Sequence, residues 1–484
     1  MRALALKAAL LVGMCLSATP ISAETLREAL AQAYSSNPQL EAARAQQRAQ
    51  DENVPIQRAG ALPSLSSSAN LTEFLRSSSS SFISPERSLS ANLDLSVPIY
   101  SGGSVANGIR AAKSRVQAGR ADLRGTESAI FSQVVAAYMD VIRNEAVVSL
   151  SANNVDVLAV NLEATSDRFE IGELTRTDVA QSESRLALAR SDLESAQANL
   201  VSARENYIAL VGSAPADLQA PPPLPGLPES ADEAVDLALE HNPDLIAAHE
   251  RAIAAGFDIE VAGAGRLPRL EAFANGGYQN FLGTLGSIPG TGSADQVSTT
   301  AQAGLRLSLP IFQGGRVSAQ QRQAQAQSSA ALEQAIATER SVIAQVRAAF
   351  SSWRASRAII ESTQAAVDAA ELSLEGVRAE NSIGNRQILD VLNAEQELLA
   401  ARVQLVTAMR NEYVAGFSVL AAMGRAEARD LGLDADVQLY DPVTNYERAR
   451  DILIDWQSDP DPVARSTRTV DIPAQDGEVS QVQE

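Results

Sequence analysis

The sequence predicts an α+β membrane protein: a long coiled-coil α-helical barrel continuous with a transmembrane β-barrel that several copies of the chain share, four strands from each. Three observations predict it. Residues 103–170 carry no proline and repeat apolar side chains every seven positions. The whole pattern recurs with a shift of 205–212 residues, so the chain is internally duplicated. Each half also holds only one pair of period-two strands, too few to close a barrel alone.

The first 23 residues read as a cleaved export signal. Arg2 and Lys7 give a positive start, residues 8–16 are apolar, and small residues lead to Ala23. That apolar run is too short to span a bilayer. The single cysteine, Cys15, falls inside it, and Met14 stands where an acylation site wants a small residue. No later run is long and apolar enough for a transmembrane helix.

The remaining residues divide into 24–220, a first repeat of helix, two strands, long helix and helix; 221–229, a proline-rich linker; 230–424, the second repeat; 425–457, a C-terminal segment; and 458–484, an acidic tail expected to be disordered. The first helix is expected over 25–59. In the strands that follow, Leu89, Ala91, Leu93, Leu95, Val97 and Ile99 alternate with polar residues, and Ala301, Ala303, Leu305, Leu307, Leu309 and Ile311 repeat the pattern. Weaker partners are expected around Leu65–Leu71 and Leu270–Ala274, with polar loops through Ser77–Ser81 and through 283–298.

The long helix follows. Val134, Val141, Val148, Val155, Leu162 and Phe169 are seven apart, and Val346, Trp353, Ile360, Val367 and Leu374 occupy the matching positions of the second half. A helix over about 103–170 is about 100 Å long, which suits one stave of a tube better than part of a compact globule. The next helices carry Val179, Leu186, Leu193, Leu200 and Tyr207, and Leu392, Leu399, Val406, Tyr413 and Leu420. These stripes are core positions.

Composition narrows the function. A net charge of −20 argues against nucleic-acid binding. One cysteine and two histidines leave no Cys/His zinc site or Cys–His pair. Gly263-Ala264-Gly265 precedes an extended stretch rather than opening a phosphate-binding helix, and His241 and His249 lie on a helix without a ligand pattern. No catalytic residue, cofactor or metal is expected. The smallest membrane barrels have about eight strands, and an open edge cannot face lipid, so several chains must share one barrel.

The helix–strand–strand–helix–helix unit, the Ile171-Gly172 and Ile383-Gly384 turns, and the motif Leu93-Asp94-Leu95-Ser96-Val97-Pro98-Ile99-Tyr100-Ser101-Gly102-Gly103 with its copy Leu305-Arg306-Leu307-Ser308-Leu309-Pro310-Ile311-Phe312-Gln313-Gly314-Gly315 resemble the TolC-type outer-membrane efflux family. The resemblance covers about residues 24–424. It implies a homotrimer in the Gram-negative outer membrane, with a large periplasmic tunnel. It also implies a periplasmic adaptor and an inner-membrane ABC or proton-driven transporter as partners, for drug efflux or type I secretion. Its gate lies at the tunnel tip, beside Gly172 and Gly384. On that pattern Asp390 falls on an acidic ring, Arg386 matches a gate arginine, and Asp178 matches the carboxylate that pairs with it. Two positions depart: Asn393 stands where a second ring carboxylate is expected, and Asn381 where an aromatic residue is expected. A non-channel periplasmic coiled-coil adaptor is the other reading, and the duplicated strand pairs count against it.

Overall fold

The computed structural model describes residues 24–76, 84–288 and 292–479. The export signal, the serines at 77–81 and the last five residues of the tail lie outside them.

The first helical stretch is three helices rather than one: α1 (Leu26–Ser36), α2 (Pro38–Asp51) and α3 (Asn53–Ala59). The break has a local cause. Pro38 has no N–H to continue α1, and the Asn37 side chain caps α2 by accepting from the Gln39 and Leu40 amides. Asn37 Nδ2 also donates to the Leu210 carbonyl at 2.9 Å, which pins the joint to a neighbouring helix.

Strands β1 (Ser64–Glu73) and β2 (Arg87–Tyr100) follow. Gly103, in the left-handed conformation at φ +81°, then starts α4 (Ser104–Glu170), and α5 (Arg176–Val211) returns antiparallel. The second half repeats this plan. α6 (Ala231–His241) and α7 (Pro243–Gly263) meet at Asn242-Pro243, where Asn242 Nδ2 donates to the Ala422 carbonyl. β3 (Arg269–Asn280), the short β4 (Ser287–Ile288) and β5 (Gly292–Ser293), and β6 (Val297–Ser308) come next. α8 (Arg316–Ser382) and α9 (Ile388–Ala422) complete the repeat. α4 and α8 are both 67 residues long.

The four long strands form one antiparallel sheet in the order β1-β2-β3-β6, open at both edges. Register sorts the faces. Leu65, Leu95, Ala274 and Ala303 stand side by side in one row, and Ser66, Asp94, Asn275 and Gln302 in the next. On the polar face Asn275 Nδ2 donates to Asp94, and Arg306 pairs with Glu271 at 2.7 Å while lying over the Phe273 ring. β6 ends at Ser308, short of the expected Ile311, because its only partner β3 begins at Arg269, opposite Ser308. β2 reaches Tyr100 by a register shift beside Pro98.

The main core lies where α1, α4, α5, α6, α8 and α9 converge. Phe131, Tyr138, Tyr207 and Phe417 are fully buried there. Tyr138 Oη donates toward the Glu24 and Gln219 carbonyls, and Tyr207 Oη donates to Glu24 Oε1 at 2.6 Å. Burial raises both phenol pKa values.

Beyond α9 the chain turns at Gly424, where a Cβ would lie 2.4 Å from the His241 carbonyl oxygen. A last helix, α10 (Pro442–Arg450), packs on α2 and α3. In the tail, Arg204 Nη1 of α5 donates to the Asp476 and Glu478 carbonyls, Glu205 accepts from the Gln475 amide, and residues 469–471 make a short 3-10 turn.

Candidate functional site

The two hairpin tips farthest from the sheet hold every residue singled out in the sequence as a gate element. Each long helix ends in the same way. Gly172 (φ +84°) and Gly384 (φ +82°) take the left-handed conformation that stops a helix without a Cβ clash. Glu173 N–H donates to the Arg168 carbonyl and Asn385 N–H to that of Glu380, both at 2.9 Å, satisfying carbonyls of the last turn.

Asp178 and Asp390 are the same position of the repeat, the third residue of the returning helix. Asp178 is engaged locally: its carboxylate accepts from Thr175 N–H at 2.9 Å and Thr175 Oγ1 at 2.7 Å. These hydrogen bonds hold its pKa below the usual carboxylate range. Asp390 reaches back to the Gln387 amide at 3.3 Å. Because the first-repeat cap is a threonine and the second a glutamine, the first return is the better capped.

Within one chain the structure does not bring Asp178 and Arg386 together as the resemblance implies. Arg386 Nε pairs with Glu380 Oε2 at 2.8 Å, and its Nη1 lies 3.9 Å from Asp390. Glu380 first, then Asp390, raise the guanidinium pKa. Asp178 is engaged with its own helix start instead. Asn381, at the position of the expected aromatic, instead braces the turn, its Nδ2 donating to the Arg386 carbonyl at 2.8 Å.

Two clasps were not apparent from sequence. Arg185 of α5 donates to Asn393 Oδ1 at 2.8 Å and to Gln396 of α9, so Asn393 joins the two hairpins instead of completing an acidic ring. Arg378 of α8 pairs with the buried Glu395 of α9. Between the hairpins, Leu392 is buried against Leu158, Leu186 and Ala189. The heptad at Leu186 and Leu392 locates this contact; the polar clasps beside it carry no sequence signal. A groove of about 480 Å³ runs between the tips, lined by Val160, Asn161, Arg168, Arg378, Asn381 and Val391. Among the described residues no cluster of His, Cys, Asp and Glu is placed to hold a metal ion, and no helix is long and apolar enough to cross a membrane.

Residues 29–213 and 234–425 match the profile of the outer membrane efflux protein family, two stretches that flank the proline-rich run. The chain is 32% identical over 444 residues to the outer membrane efflux protein BepC of Brucella suis, covering 92% of this chain and 94% of that protein. It is 28% identical over 440 residues to the outer membrane protein TolC of Escherichia coli, covering 87% of each. Among solved structures, the outer membrane protein VceC of Vibrio cholerae superposes with a TM-score of 0.70 at 24% identity, over 82% of this chain and 96% of that one. The Campylobacter jejuni CmeC outer membrane channel gives 0.72 at 18%, over 88% and 89%. At these identities the two structures speak for the fold alone.

Proposed function

The chain belongs to the outer membrane efflux protein family, and from that premise we propose that three copies close one tube and that Arg386 and Asp390 sit at its constriction. The family makes the protein an outer-membrane export channel and not an enzyme. Passage needs a continuous wet path rather than a nucleophile or a base. Work is done upstream, by the typical tripartite partners of such a channel: a periplasmic adaptor and an inner-membrane transporter, of the ABC or proton-driven kind.

One observation carries the proposal: each protomer is open on both sides. β1 is exposed along its whole length, and β6 nearly so. Lipid offers no hydrogen bonds to an unpaired strand, so β1 of one copy must pair with β6 of the next. Three copies give twelve strands, within the size range of known barrels. The helices obey the same closure, because α8 packs on α6, α7 and α9 and leaves Leu332 and Ile336 about half exposed.

At the tip, Arg386 bridges Glu380 and Asp390 near the axis around which the copies close. The Glu380 pairing holds the turn after α8 against its own helix. Asp178 fixes the start of α5, and Gly172 and Gly384 let both hairpins turn sharply. Carboxylates from Asp390 of three copies would form one acidic ring that favours cations. Relatives carry names as different as alkaline protease secretion protein and fusaric acid resistance protein, so cargo is set outside this chain.

Planar-bilayer recording tests the reading. The reconstituted protein should give small, discrete conductance steps. Arg386→Glu should raise the step size by releasing the tip, and Asp390→Ala should weaken block by divalent cations. Discrete steps that neither change alters would place the constriction elsewhere; no steps at all would refute the channel.

A further inference from the structure

Just beyond α10 the chain forms a short apolar excursion that nothing in the protomer covers. Leu453 and Ile454 are each 64% exposed and Trp456 is 94% exposed, although these are the side chains that water excludes most strongly. The excursion is built rather than loose. Gln457 N–H donates to the Ile454 carbonyl at 3.1 Å, closing a turn, and Arg448 grips Asp459 with both guanidinium arms at 2.7 and 2.9 Å, closing the base.

Its position decides what meets it. α10 runs beside α2 and α3 toward the sheet: Asn445 donates to Asp51, and the Arg450 carbonyl accepts from Arg58 Nη1 at 3.0 Å. Six residue steps lead from Arg58 to Ser64, the first of β1, which is about 20 Å of chain at most. Gln57 abuts Gly108 and Gly60 abuts Val105, at the start of α4 just below Tyr100. The excursion therefore follows α10 at its sheet-proximal end. There the barrel base also displays Tyr100 (48% exposed), Ile311 (93%) and Phe312 (87%). Tyr100 and Phe312 are the same position of the repeat.

We infer that residues 452–456 form a second membrane contact, a periplasmic-side anchor in which Trp456, Leu453 and Ile454 enter the headgroup–acyl boundary of the bilayer beside the barrel. The inference rests on the outer-membrane placement given above. Tryptophan favours that depth because its ring is apolar and its indole N–H keeps a polar partner. The anchor would tie the C-terminal segment to the membrane and, through α10, to the α2–α3 edge of the tube.

The chain has two tryptophans. Trp353 is buried and donates to Glu412, so Trp353→Phe leaves Trp456 as the only reporter. The W353F channel is placed in phosphatidylcholine nanodiscs made with ordinary or acyl-brominated lipid, and incorporation is read from particle size independently of fluorescence. Brominated lipid should quench Trp456 emission about twofold or more, with weak quenching by aqueous iodide. Full access to iodide without lipid quenching would put the segment in water and overturn the anchor. Shielding from both quenchers would mean that another copy of the chain covers it, which also overturns it. If W353F folds poorly, the difference between the unmodified protein and Trp456→Phe gives the same reading. Failure to enter nanodiscs would count against the barrel, and with it the anchor.

Discussion

α4 and α8 are the same element twice, equal in length and offset by one repeat, yet they live in different surroundings. α4 has neighbours on both flanks: α1–α3 and α5 on one side, α7 and α9 on the other. At its centre Phe131, Val134, Val135, Ala137, Tyr138 and Val141 are all buried. α8 keeps one seam, with Val342, Val346, Phe350 and Trp353 buried. Its other face shows Leu332 at 55%, Ile359 at 48% and Leu372 at 69% exposure. The strands draw the same line, with β2 and β3 inside the sheet and β1 and β6 at its edges. One heptad pattern can therefore serve as an interior stave or as an edge stave. Within the protomer α8 has one flank uncovered, the flank where the proposed next copy would pack.

The largest effect should come from the edge. Leu332→Asp with Ile336→Asp puts six carboxylates into three subunit seams and should abolish the oligomer, read by native mass spectrometry, while circular dichroism stays helical. An intact oligomer would show that α8 faces water. Next is the interior. Tyr138→Ala should cost about 3–5 kcal/mol and lower the melting temperature, whereas Leu372→Ala should cost far less before assembly.

A half-buried carboxylate sharpens the contrast further. Glu127 on α4 accepts from the Ala428 amide and faces Glu427, Asp430 and Arg44. Burial, the main cause, pushes its pKa up to about 7 from 4.5. The folded state therefore holds the proton more tightly than the unfolded one. Its stability falls as pH rises from about 4.5 to about 7 and is level above that. Glu127→Gln should remove this slope and stabilise the protein at pH 8 by about 1–3 kcal/mol, with little change at pH 4. A slope unchanged in the variant would assign it to another group. The smallest effect is at the tips: Thr175→Ala should cost about 1 kcal/mol and Gln387→Ala less, measured by hydrogen exchange at the two helix starts. Equal losses would mean that the two returns are capped alike.

Much of the architecture was legible because it repeats. Heptads at Val134 and Val346 mark the long helices, and alternation from Leu89 to Ile99 marks a strand, since both periods follow from backbone geometry. The Asn37-Pro38 joint was visible as a repeat, but its consequence, a helix broken in two, needed the capping and proline physics to be applied locally. The site was less legible. Asp178 and Asp390 stand at matching positions, and their engagement with their own helix starts depends on rotamers. Glu380, Arg185 and Asn393 act through contacts between chain segments far apart in sequence, or across a turn, which no period encodes. Backbone groups of the tail meet Arg204 and Glu205, contacts that composition does not report.

Closure of the tube by β1 of one copy against β6 of the next is tested most directly by cross-linking. In a Cys15→Ser background, one cysteine at Ser68 in β1 is combined with a series of single cysteines along residues 298–304 in β6, and the protein is oxidised in the outer membrane. At the correct register, denaturing gels should show bands of one, two and three subunits and nothing larger. Absence of cross-links at every register, or a ladder that runs past three, would contradict a closed three-subunit tube.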